Sequence, residues 1–347
     1  PTTAKALNEL PLNDPYLKDQ WHYNNVGQRG LPDVQDVNLF EAWKLTKGRS
    51  DIIVSVHDAG IDVNHEDLKG NMWVNTKETA GNGKDDDLNG YADDINGWNF
   101  VYNMATMVPS DHGTHVAGTI AAMNDNGIGV SGIAGGTGKG DGVKIMALQI
   151  VGASSEEMAK SFIYAADHGA VISQNSWSYS NYNFYDPTLL DAIQYFITEA
   201  GDYEGSPMKG GIVIFASGND GRDGILYPPY LDYVFTVNSL GPDGKLAKYS
   251  NYGTWTNICA PGGNSKTVNN GFGPAAGVLS TLAGNEYGYM DGTSMACPHV
   301  SGIAALILAN SPQQITNDML WKRLANAGRD IDDRHIGFDP EKPYEYV

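Results

Sequence analysis

Short apolar runs alternate along the chain with longer stretches of helical character. The apolar runs lie at 51–60, 143–151, 170–177, 211–219 and 233–240. Each is apolar at consecutive positions, which indicates a strand with both faces covered, as in the interior of a parallel sheet. The stretches between these runs that favour a helix are 112–124, 155–170 and 189–200. This alternation predicts an α/β fold with a mostly parallel central sheet and helices on both faces.

The two ends of the chain depart from this alternation. Residues 1–50 are of mixed character apart from a short helical patch at 39–46, and we expect them to form an extension packed on the main domain. A last apolar stretch, 299–310, is apolar on nearly every face and predicts a buried helix. The main domain is expected to span 51–330, with 331–347 as a tail or the edge of a further segment.

The charge balance narrows the possible classes of function. The 347 residues carry a formal net charge of -19. Nucleic-acid binding needs a concentration of Lys and Arg, so a nucleic-acid partner is excluded. A strongly acidic surface suits solubility and hard cations, and it is common in secreted proteins.

Three further features concern membranes, processing and redox state. The longest apolar run, at 302–309, is far too short to span a bilayer. The chain begins with Pro1 and not with Met, which indicates a processed or trimmed form whose signal and pro-segment are not part of this sequence. The two cysteines, Cys259 and Cys297, permit one disulfide or two buried thiols, and the sequence leaves both open.

Three residues stand where parallel α/β folds often carry functional groups. Asp58 ends the first predicted strand, His112 begins a predicted helix, and Ser294 precedes the last one. Taken singly, they have ordinary explanations as a turn residue, a surface or capping histidine and a helix N-cap. Together, the order Asp, His, Ser is one of the chain orders known for a nucleophilic triad, in which a base activates the serine hydroxyl.

The sequences around these residues carry a family resemblance. DAGID at 58–62, HGTHVAG at 112–118 and GTSMACPHVSG at 292–302 are similar to the three signature blocks of the subtilisin-like serine proteases. NDPYLKDQWHYNN at 13–25 resembles the start of many mature members, so the resemblance covers most of the chain.

The resemblance implies a subtilisin-like peptidase domain over 51–330 that hydrolyses peptide bonds through an acyl-enzyme. Ser294 would attack the peptide carbonyl, His112 would take and return the proton, and Asp58 would orient His112. Asn219, in ASGND, resembles the residue that donates its side-chain amide to the oxyanion, and the backbone N–H of Ser294 would be the second donor. Catalysis of this kind requires no cofactor.

The resemblance also implies how the protein is made and what it binds. It predicts a secreted enzyme of the extracellular space or cell envelope, produced as a zymogen that its own pro-segment inhibits. We expect a monomer whose partners are peptide or protein substrates.

Other interpretations of the same residues remain open. Zinc binding by His112 and His115 lacks the HExxH spacing and a third ligand, so His115 is interpreted as a packing residue. The main alternative function is a catalytically silent subtilase that serves as a binding or scaffold module. Such relatives generally lose a triad member or the oxyanion donor, and this chain keeps all four. An esterase or acyl transferase would use the same acyl-enzyme.

The resemblance implies that the substrate binds as an added strand between two extended segments. The implied pocket residues are Ser176, Trp177 and Ser178 on one wall, Ala216, Ser217 and Gly218 on the other, and Leu226 at the base. Ser178 and Leu226 stand where family members usually or often carry Gly. A leucine at the base would shorten the pocket and favour small or medium apolar residues over Phe or Tyr, unless it packs away from the pocket.

The acidic segment 81–100 is a candidate metal site. Its oxygen-bearing side chains at alternate positions, followed by Gly90, match the opening of an EF-hand loop, although position twelve is Asn96 and no helices flank it. We therefore expect a structural calcium loop inserted in the domain, the alternative being a solvated acidic loop. The predicted ligands are Asp85, Asp87, Asn89, the Tyr91 carbonyl and Asp94, with Asp93 as a substitute.

A second calcium site is implied by the resemblance. Its ligands would be Asp67, the Asn126 side chain and the carbonyls of Met123, Ile128 and Val130. The loop that supplies most of them is one residue longer than the commonest family version, so Asn124 and Asp125 remain alternatives to Asn126.

Overall fold

Eleven strands occur in the computed structural model, which describes residues 9–266 and 271–329. In chain order they are β1 (Ile53–Asp58), β2 (Gly97–Asn99), β3 (Lys144–Gln149), β4 (Ile172–Asn175), β5 (Met208–Lys209), β6 (Ile212–Ala216), β7 (Phe235–Leu240), β8 (Ile258–Pro261), β9 (Val278–Leu282), β10 (Glu286–Met290) and β11 (Ile315–Thr316).

Seven of these strands form the central sheet, in the spatial order β2, β3, β1, β4, β6, β7, β8. All neighbouring pairs in it are parallel. The five predicted strands are its five inner strands, so the predicted parallel sheet is confirmed. The edge strands β2 and β8 were not predicted, because neither is a continuous apolar run. Outside this sheet, β9 and β10 form an antiparallel hairpin, and β5 pairs in parallel with β11.

The helices of the described residues are α1 (Leu39–Ala42), α2 (Asp111–Ala121), α3 (Ser155–Asp167), α4 (Pro187–Glu199), α5 (Thr293–Ala309) and α6 (Asn317–Ala327). Helices α2, α3 and α4 form where they were predicted. Helix α1 ends before the predicted patch at 39–46 does, and α5 begins ahead of its predicted start at 299. Each helix that the structure describes is too short or too polar to cross a lipid bilayer.

Helices cover both faces of the central sheet, as predicted. On β6, Ile214 packs on one face with Val300 of α5, whereas Phe215 packs on the other with Phe162 of α3 and Phe196 of α4. This alternation follows from the two-residue period of a strand. All five side chains are at most 3% exposed, and burying each contributes roughly 1.5–3 kcal/mol.

Residues 9–50 pack onto the same core as α2 and α5. Tyr23 and Trp43 are buried in it, and the Trp43 indole N–H donates to the carbonyl oxygen of Ile133 at 2.8 Å. Because the segment supplies core side chains and satisfies buried polar groups, it supports the sheet from one side. The tail predicted at 331–347 lies outside the described residues.

Candidate active site

The carboxyl ends of β1, β4 and β6 form the edge at which the predicted residues meet. These three strands are neighbours in the sheet, and the loops after such strand ends hold the functional groups of many α/β proteins. Asp58 is the last residue of β1, Ser176 directly follows β4, and Ala216 ends β6. The parallel sheet thus brings together segments that are far apart in the sequence.

Asp58 and His112 form a direct pair at this edge. Nδ1 of His112, the second residue of α2, lies 2.7 Å from Oδ1 of Asp58, which also accepts the backbone N–H of Ala59 at 2.7 Å. The Asp58 side chain is 2% exposed and that of His112 is 33% exposed. An N–H donated from Nδ1 leaves Nε2 of the neutral imidazole as the basic nitrogen.

The close approach of α2 to β1 depends on a glycine. A Cβ atom at Gly113 would lie 2.1 Å from the carbonyl oxygen of Gly60 and 3.2 Å from Oδ1 of Asp58. A backbone oxygen cannot move aside without moving the end of the strand. Gly113, in HGTH, therefore allows its neighbour His112 to reach Asp58.

Two opposing effects act on the proton affinity of His112. Burial lowers its pKa because an imidazolium loses hydration, whereas the charge of Asp58 and the hydrogen bond to it raise the pKa. The net result is a pKa above the histidine value of 6.5. Oδ2 of Asp58 is buried and has no hydrogen-bond partner within the described residues, so its charge is not shared with another donor.

Ser294 lies inside α5, and the expectation that it precedes the helix as an N-cap is wrong. The helix begins at Thr293 after Gly292, and no side chain caps it. The apolar stretch that predicted this helix begins at 299, whereas the helix itself also includes Pro298 and the residues before it.

Two hydrogen bonds link Ser294 to Ser176. The Ser294 Oγ donates to the Ser176 carbonyl at 3.2 Å, and the Ser294 carbonyl accepts the Ser176 Oγ at 2.8 Å. Within the described residues this edge therefore holds two pairs, Asp58 with His112 and Ser176 with Ser294, and no hydrogen bond joins His112 to Ser294.

Asn219 presents its amide beside the start of α5. The residue is exposed, and its Oδ1 accepts both the backbone N–H and the hydroxyl of Thr293 at 2.9 Å. These two donors fix the orientation of the amide. Nδ2 has no hydrogen-bond partner among the described residues, so its N–H groups are available to a ligand next to Ser294.

The predicted pocket walls follow β4 and β6. They consist of Ser176, Trp177 and Ser178 after β4, and of Ala216, Ser217 and Gly218 at the end of β6. A Cβ at Gly218 would lie 2.7 Å from Cδ2 of Leu226, which is 2% exposed. Leu226 therefore packs against this wall and not away from it.

Tyr182, which sequence reasoning missed, lies beside the predicted pocket walls. It follows the first wall in the chain, but its hydroxyl donates to Asp220 at 2.7 Å and accepts the amide N–H of Asn251 at 3.1 Å. The Asn251 amide in turn packs on Gly218 of the second wall. Tyr182 thus ties the two walls together, and no motif in the sequence marks this long-range contact.

The acidic segment forms a carboxylate cluster that includes a residue sequence reasoning missed. Carboxylate oxygens of Glu78, Asp85 and Asp87 lie within 4.8 Å of one another. Glu78 Oε1 accepts the backbone N–H of Asp87 at 3.2 Å, so Glu78 folds back over the loop. The only signal in the sequence was an acidic residue shortly before the segment. Oδ1 of Asp87 is buried without a partner among the described residues, which fits a cation.

The remaining predicted ligands of this loop lie around the cluster. Asp94 is buried, and its carboxylate accepts Tyr164 Oη at 2.6 Å and Asn89 Nδ2 at 2.9 Å. Burial raises the pKa of Asp94. The Tyr91 ring packs 5.0 Å from that of Tyr164, and Asp93 accepts the backbone N–H of Asn82 at 3.1 Å. Asp94 thus anchors the loop to the core.

Asp67 lies under the loop predicted for the second site. Its carboxylate accepts the Asn126 side chain at 2.8 Å and the N–H of Val130 at 3.0 Å. Burial raises the pKa of Asp67 to about 7. Of the three alternatives, Asn126 is the one that contacts Asp67, because Asn124 Oδ1 accepts the N–H of Gly132 instead.

Backbone contacts close this second loop around a further carboxylate. The N–H of Met123 donates to the Asp67 carbonyl at 2.8 Å, and that of Ile128 to Asn126 Oδ1 at 2.8 Å. Asp14, a buried residue that sequence reasoning missed, accepts the N–H of Asn126 at 3.1 Å. Its charge further raises the pKa of Asp67, so two buried carboxylates share this loop.

The residues that the sequence left open have clear contacts. Nε2 of the buried His115 lies 2.8 Å from the Val278 carbonyl oxygen, which agrees with a packing role. No disulfide joins Cys259 to Cys297 in the described structure. Burial raises the pKa of Cys297 to about 12, and its Sγ donates to Gln174 Oε1 at 3.3 Å.

At this sheet edge an acidic side chain orients a histidine, and a serine near a helix start lies close to an available amide donor. Acyl-transfer serine enzymes use these groups. The family model described as the subtilase family matches residues 49–338. The chain belongs to the subtilase family and is a serine endopeptidase by that membership.

Similar proteins agree with this assignment. A thermophilic serine proteinase of Bacillus sp. (strain AK1) is 32% identical over 323 residues, which cover 90% of this chain and 67% of that protein. An extracellular basic protease of Dichelobacter nodosus is 30% identical over 327 residues, which cover 88% of this chain and 49% of that protein. The chain thus spans about half to two thirds of the length of these relatives.

A solved structure of proteases from Pseudoalteromonas arctica has the same fold. It superimposes with a TM-score of 0.67 and 27% sequence identity, covering 92% of this chain and 93% of that one. The predicted subtilisin-like fold is thereby confirmed.

Proposed function

We propose that this subtilase hydrolyses peptide bonds through Asp58, His112 and Ser294, with an acyl-enzyme on Ser294. The observation that carries the proposal is the 2.7 Å contact between His112 and Asp58, at the sheet edge where the helix of Ser294 begins. A histidine fixed at Nδ1 by a buried carboxylate has Nε2 available as a general base.

The first half of the reaction uses these groups in order. The Ser294 hydroxyl turns from the Ser176 carbonyl to Nε2 of His112, which takes its proton as Oγ attacks the substrate carbonyl. Asp58 stabilises the imidazolium that forms, and His112 then protonates the leaving amine. In the second half, His112 takes a proton from an entering water as that water attacks the acyl carbon. The bond from the acyl carbon to Ser294 Oγ then breaks, and His112 returns the proton to Oγ.

The negative charge on the tetrahedral intermediate is stabilised by two donors. Nδ2 of Asn219 is the side-chain donor, because Thr293 already holds the other end of the amide. The backbone N–H of Ser294, at the N-terminus of α5, is the second donor. In a subtilisin, losing the asparagine donor lowers kcat roughly 10²–10³-fold, and we expect the same order for Asn219→Ala.

Labelling with a fluorophosphonate tests this proposal. The intact protein should be labelled covalently, Ser294→Ala should not, and Ser161→Ala, which removes a buried serine in α3, should be labelled like the wild type. Peptide products analysed with and without an added amine nucleophile separate hydrolysis from acyl transfer. No labelling of a folded wild-type protein would favour the silent scaffold.

The pocket is proposed to accept small or medium apolar side chains. Leu226 packs on Gly218 and would fill the base of the proposed pocket. Tyr182 would link its two walls through Asp220 and Asn251. The test compares kcat/KM for peptides that carry Ala, Leu or Phe before the cleaved bond. Leu226→Gly should raise the Phe to Ala ratio at least about tenfold, since each methylene contributes up to roughly 1 kcal/mol. A wild-type enzyme that cleaves the Phe peptide fastest would contradict the proposed pocket. The ratio of kcat/KM between two peptides, measured on one enzyme variant, does not depend on the concentration of active enzyme.

We also propose that calcium stabilises the fold at two positions. Glu78, Asp85 and Asp87 would form the centre of the loop site, with Asn89, the Tyr91 carbonyl and Asp94 as the remaining predicted oxygens. Asp67, Asn126 and the carbonyls of Met123, Ile128 and Val130 would form the second site, with Asp14 beside it. Calcium prefers such oxygen donors, and bound calcium would neutralise the clustered carboxylates.

Secretion and zymogen control complete the proposed function. The relative from Dichelobacter nodosus is named an extracellular protease, and an acidic, calcium-stabilised monomer suits that compartment. Substrates would be peptides or proteins, and the enzyme's own pro-segment would be its inhibitor. Fractionating a culture of the source organism tests the location: activity confined to the cytoplasm would contradict it.

A further inference from the structure

A chain of buried hydrogen bonds runs beneath Ser294, with Gln174 of β4 at its centre. Oε1 of Gln174 accepts Cys297 Sγ at 3.3 Å and the hydroxyl of Ser301. Nε2 donates to Ser176 Oγ at 2.8 Å, and that hydroxyl donates to the Ser294 carbonyl at 2.8 Å. The side chains of Gln174, Cys297 and Ser301 are fully buried.

The Ser294 carbonyl needs a donor from outside its helix because of Pro298. In an α-helix this carbonyl would accept the N–H of the residue four positions on. That residue is Pro298, which has no N–H. A helix carbonyl that lacks its intrahelical donor needs another partner, and the Ser176 hydroxyl supplies that donor.

The order of donors in this chain is fixed. Two donors on Oε1 orient the amide of Gln174, so Nε2 points at Ser176. The Ser176 oxygen accepts that N–H and directs its own proton to Ser294. If the amide N–H is lost, the Ser176 hydroxyl loses the contact that sets its orientation, and the Ser294 peptide group is held less firmly.

We propose that Gln174 is a positioning residue for Ser294 that acts through the Ser176 hydroxyl. This inference rests on the proposed function, because it assigns Ser294 as the nucleophile and its N–H as an oxyanion donor. The Ser294 hydroxyl and the Ser294 N–H belong to one residue, and the chain of hydrogen bonds holds that residue against the end of β4. Cys297, which the sequence left without a role, is one of the two side chains that orient the amide.

The test is Gln174→Met, which keeps the length of the side chain and removes its hydrogen bonds. We expect kcat and the rate constant for labelling of Ser294 by a fluorophosphonate to fall about fivefold to tenfold, as for the loss of one buried hydrogen bond at a positioned group. KM should change less than about twofold, because Gln174 contacts no substrate.

Gln20→Met is the matched control for a purely structural effect. Gln20 is also a buried glutamine, and its amide donates to and accepts from the backbone of Ser131 at 2.9 Å. This variant should have a lower Tm than the wild type. Its kcat, measured at a temperature well below that Tm, should be unchanged. An equal loss of kcat in the control, or wild-type kcat and labelling in Gln174→Met, would overturn the inference.

Cys297 gives a second test that does not require Gln174 to change. Cys297→Ser keeps a donor to Oε1 and should retain kcat, whereas Cys297→Val removes it and should lower kcat and the labelling rate together. Equal kcat in these two variants would contradict the inference. If the wild-type protein itself is not labelled, the proposed function fails, which is a separate outcome.

Discussion

His112 must be neutral to accept the serine proton, so its pKa sets the acidic limit of the proposed activity. Asp58 raises that pKa above 6.5 despite the opposing effect of burial. The neutral fraction falls as pH decreases through the raised pKa, so kcat/KM should fall with it. We predict an acidic limb of the kcat/KM profile with its midpoint above 6.5.

Asp58→Asn provides the control for this assignment. It removes the charge that raises the pKa and leaves the burial that lowers it, so the pKa of His112 should decrease. Because kcat should also fall by roughly 10⁴, as in other triads, the pKa is best followed by NMR of the His112 ring. An unchanged pKa in this variant would show that Asp58 does not control the titration.

The predictability of each site residue depends on where its signal lies. Asp58, His112, Ser294 and Asn219 each lie in a contiguous motif whose flanking residues identify it. Gln174 lies in no such motif, since its significance comes from contacts with α5.

Glu78 and Asp14 were missed for the same physical reason. Asp14 is an ordinary acidic residue until a distant loop folds over it, and Glu78 is one until the acidic loop that follows it folds back onto its carboxylate. The structure adds both to the candidate sites because their contacts cross between segments.

The start of α2 positions His112. This part of the helix can lie close to β1 only because Gly113 has no side chain. Gly113→Ala would place Cβ 2.1 Å from the Gly60 carbonyl oxygen and force the helix away from β1. We predict a loss of stability of about 1–3 kcal/mol and a fall in kcat/KM of at least about tenfold, since proton transfer requires close geometry. Thermal unfolding and steady-state kinetics measure the two effects.

Gly302→Ala in α5 is a control that separates the loss of stability from the loss of activity predicted for Gly113→Ala. Its Cβ would lie 2.7 Å from the Ile133 side chain, so it should lower the Tm without moving Asp58 or His112. Comparable activity losses in the two variants would mean that the Gly113 effect is general instability.

The boundaries of the elements were harder to predict than their existence. The inner strands appear as apolar runs because both of their faces are buried, but β2 and β8 at the edges have no such requirement. Helix α5 can include Pro298 because the hydroxyl of Ser176, directly after β4, replaces the missing N–H donor. Tertiary contacts therefore override local propensity at these positions.

Across the whole molecule, clustered carboxylates are expected to make the stability depend on calcium. A ligand that binds only the folded state at a hundred times its Kd contributes about 2.7 kcal/mol, which for a chain of 347 residues corresponds to a Tm shift of roughly 4 °C. We predict that excess chelator lowers the Tm by at least this amount and that added calcium restores it. Differential scanning calorimetry measures the change.

Variants assign this effect to the two proposed sites. Glu78→Gln combined with Asp87→Asn should remove the part of the calcium-dependent Tm shift that comes from the loop site. Asp67→Asn should remove the part that comes from the second site. The triple variant should show no calcium-dependent Tm shift. Asp202→Asn, an exposed residue outside both sites, should respond like the wild type. A wild-type Tm that is the same in calcium and in chelator would contradict both sites.

The sequence by itself determined the α/β architecture, the inner strands, and the candidate triad and oxyanion donor. These depend on local properties, namely the period of apolar positions and contiguous motifs at strand and helix ends. Only the tertiary structure decided which residues Leu226 and Tyr182 contact beside the predicted pocket, which carboxylates meet at the candidate calcium sites, and which groups hydrogen-bond to Ser294. Those features depend on contacts between segments far apart in the chain, which no local pattern specifies.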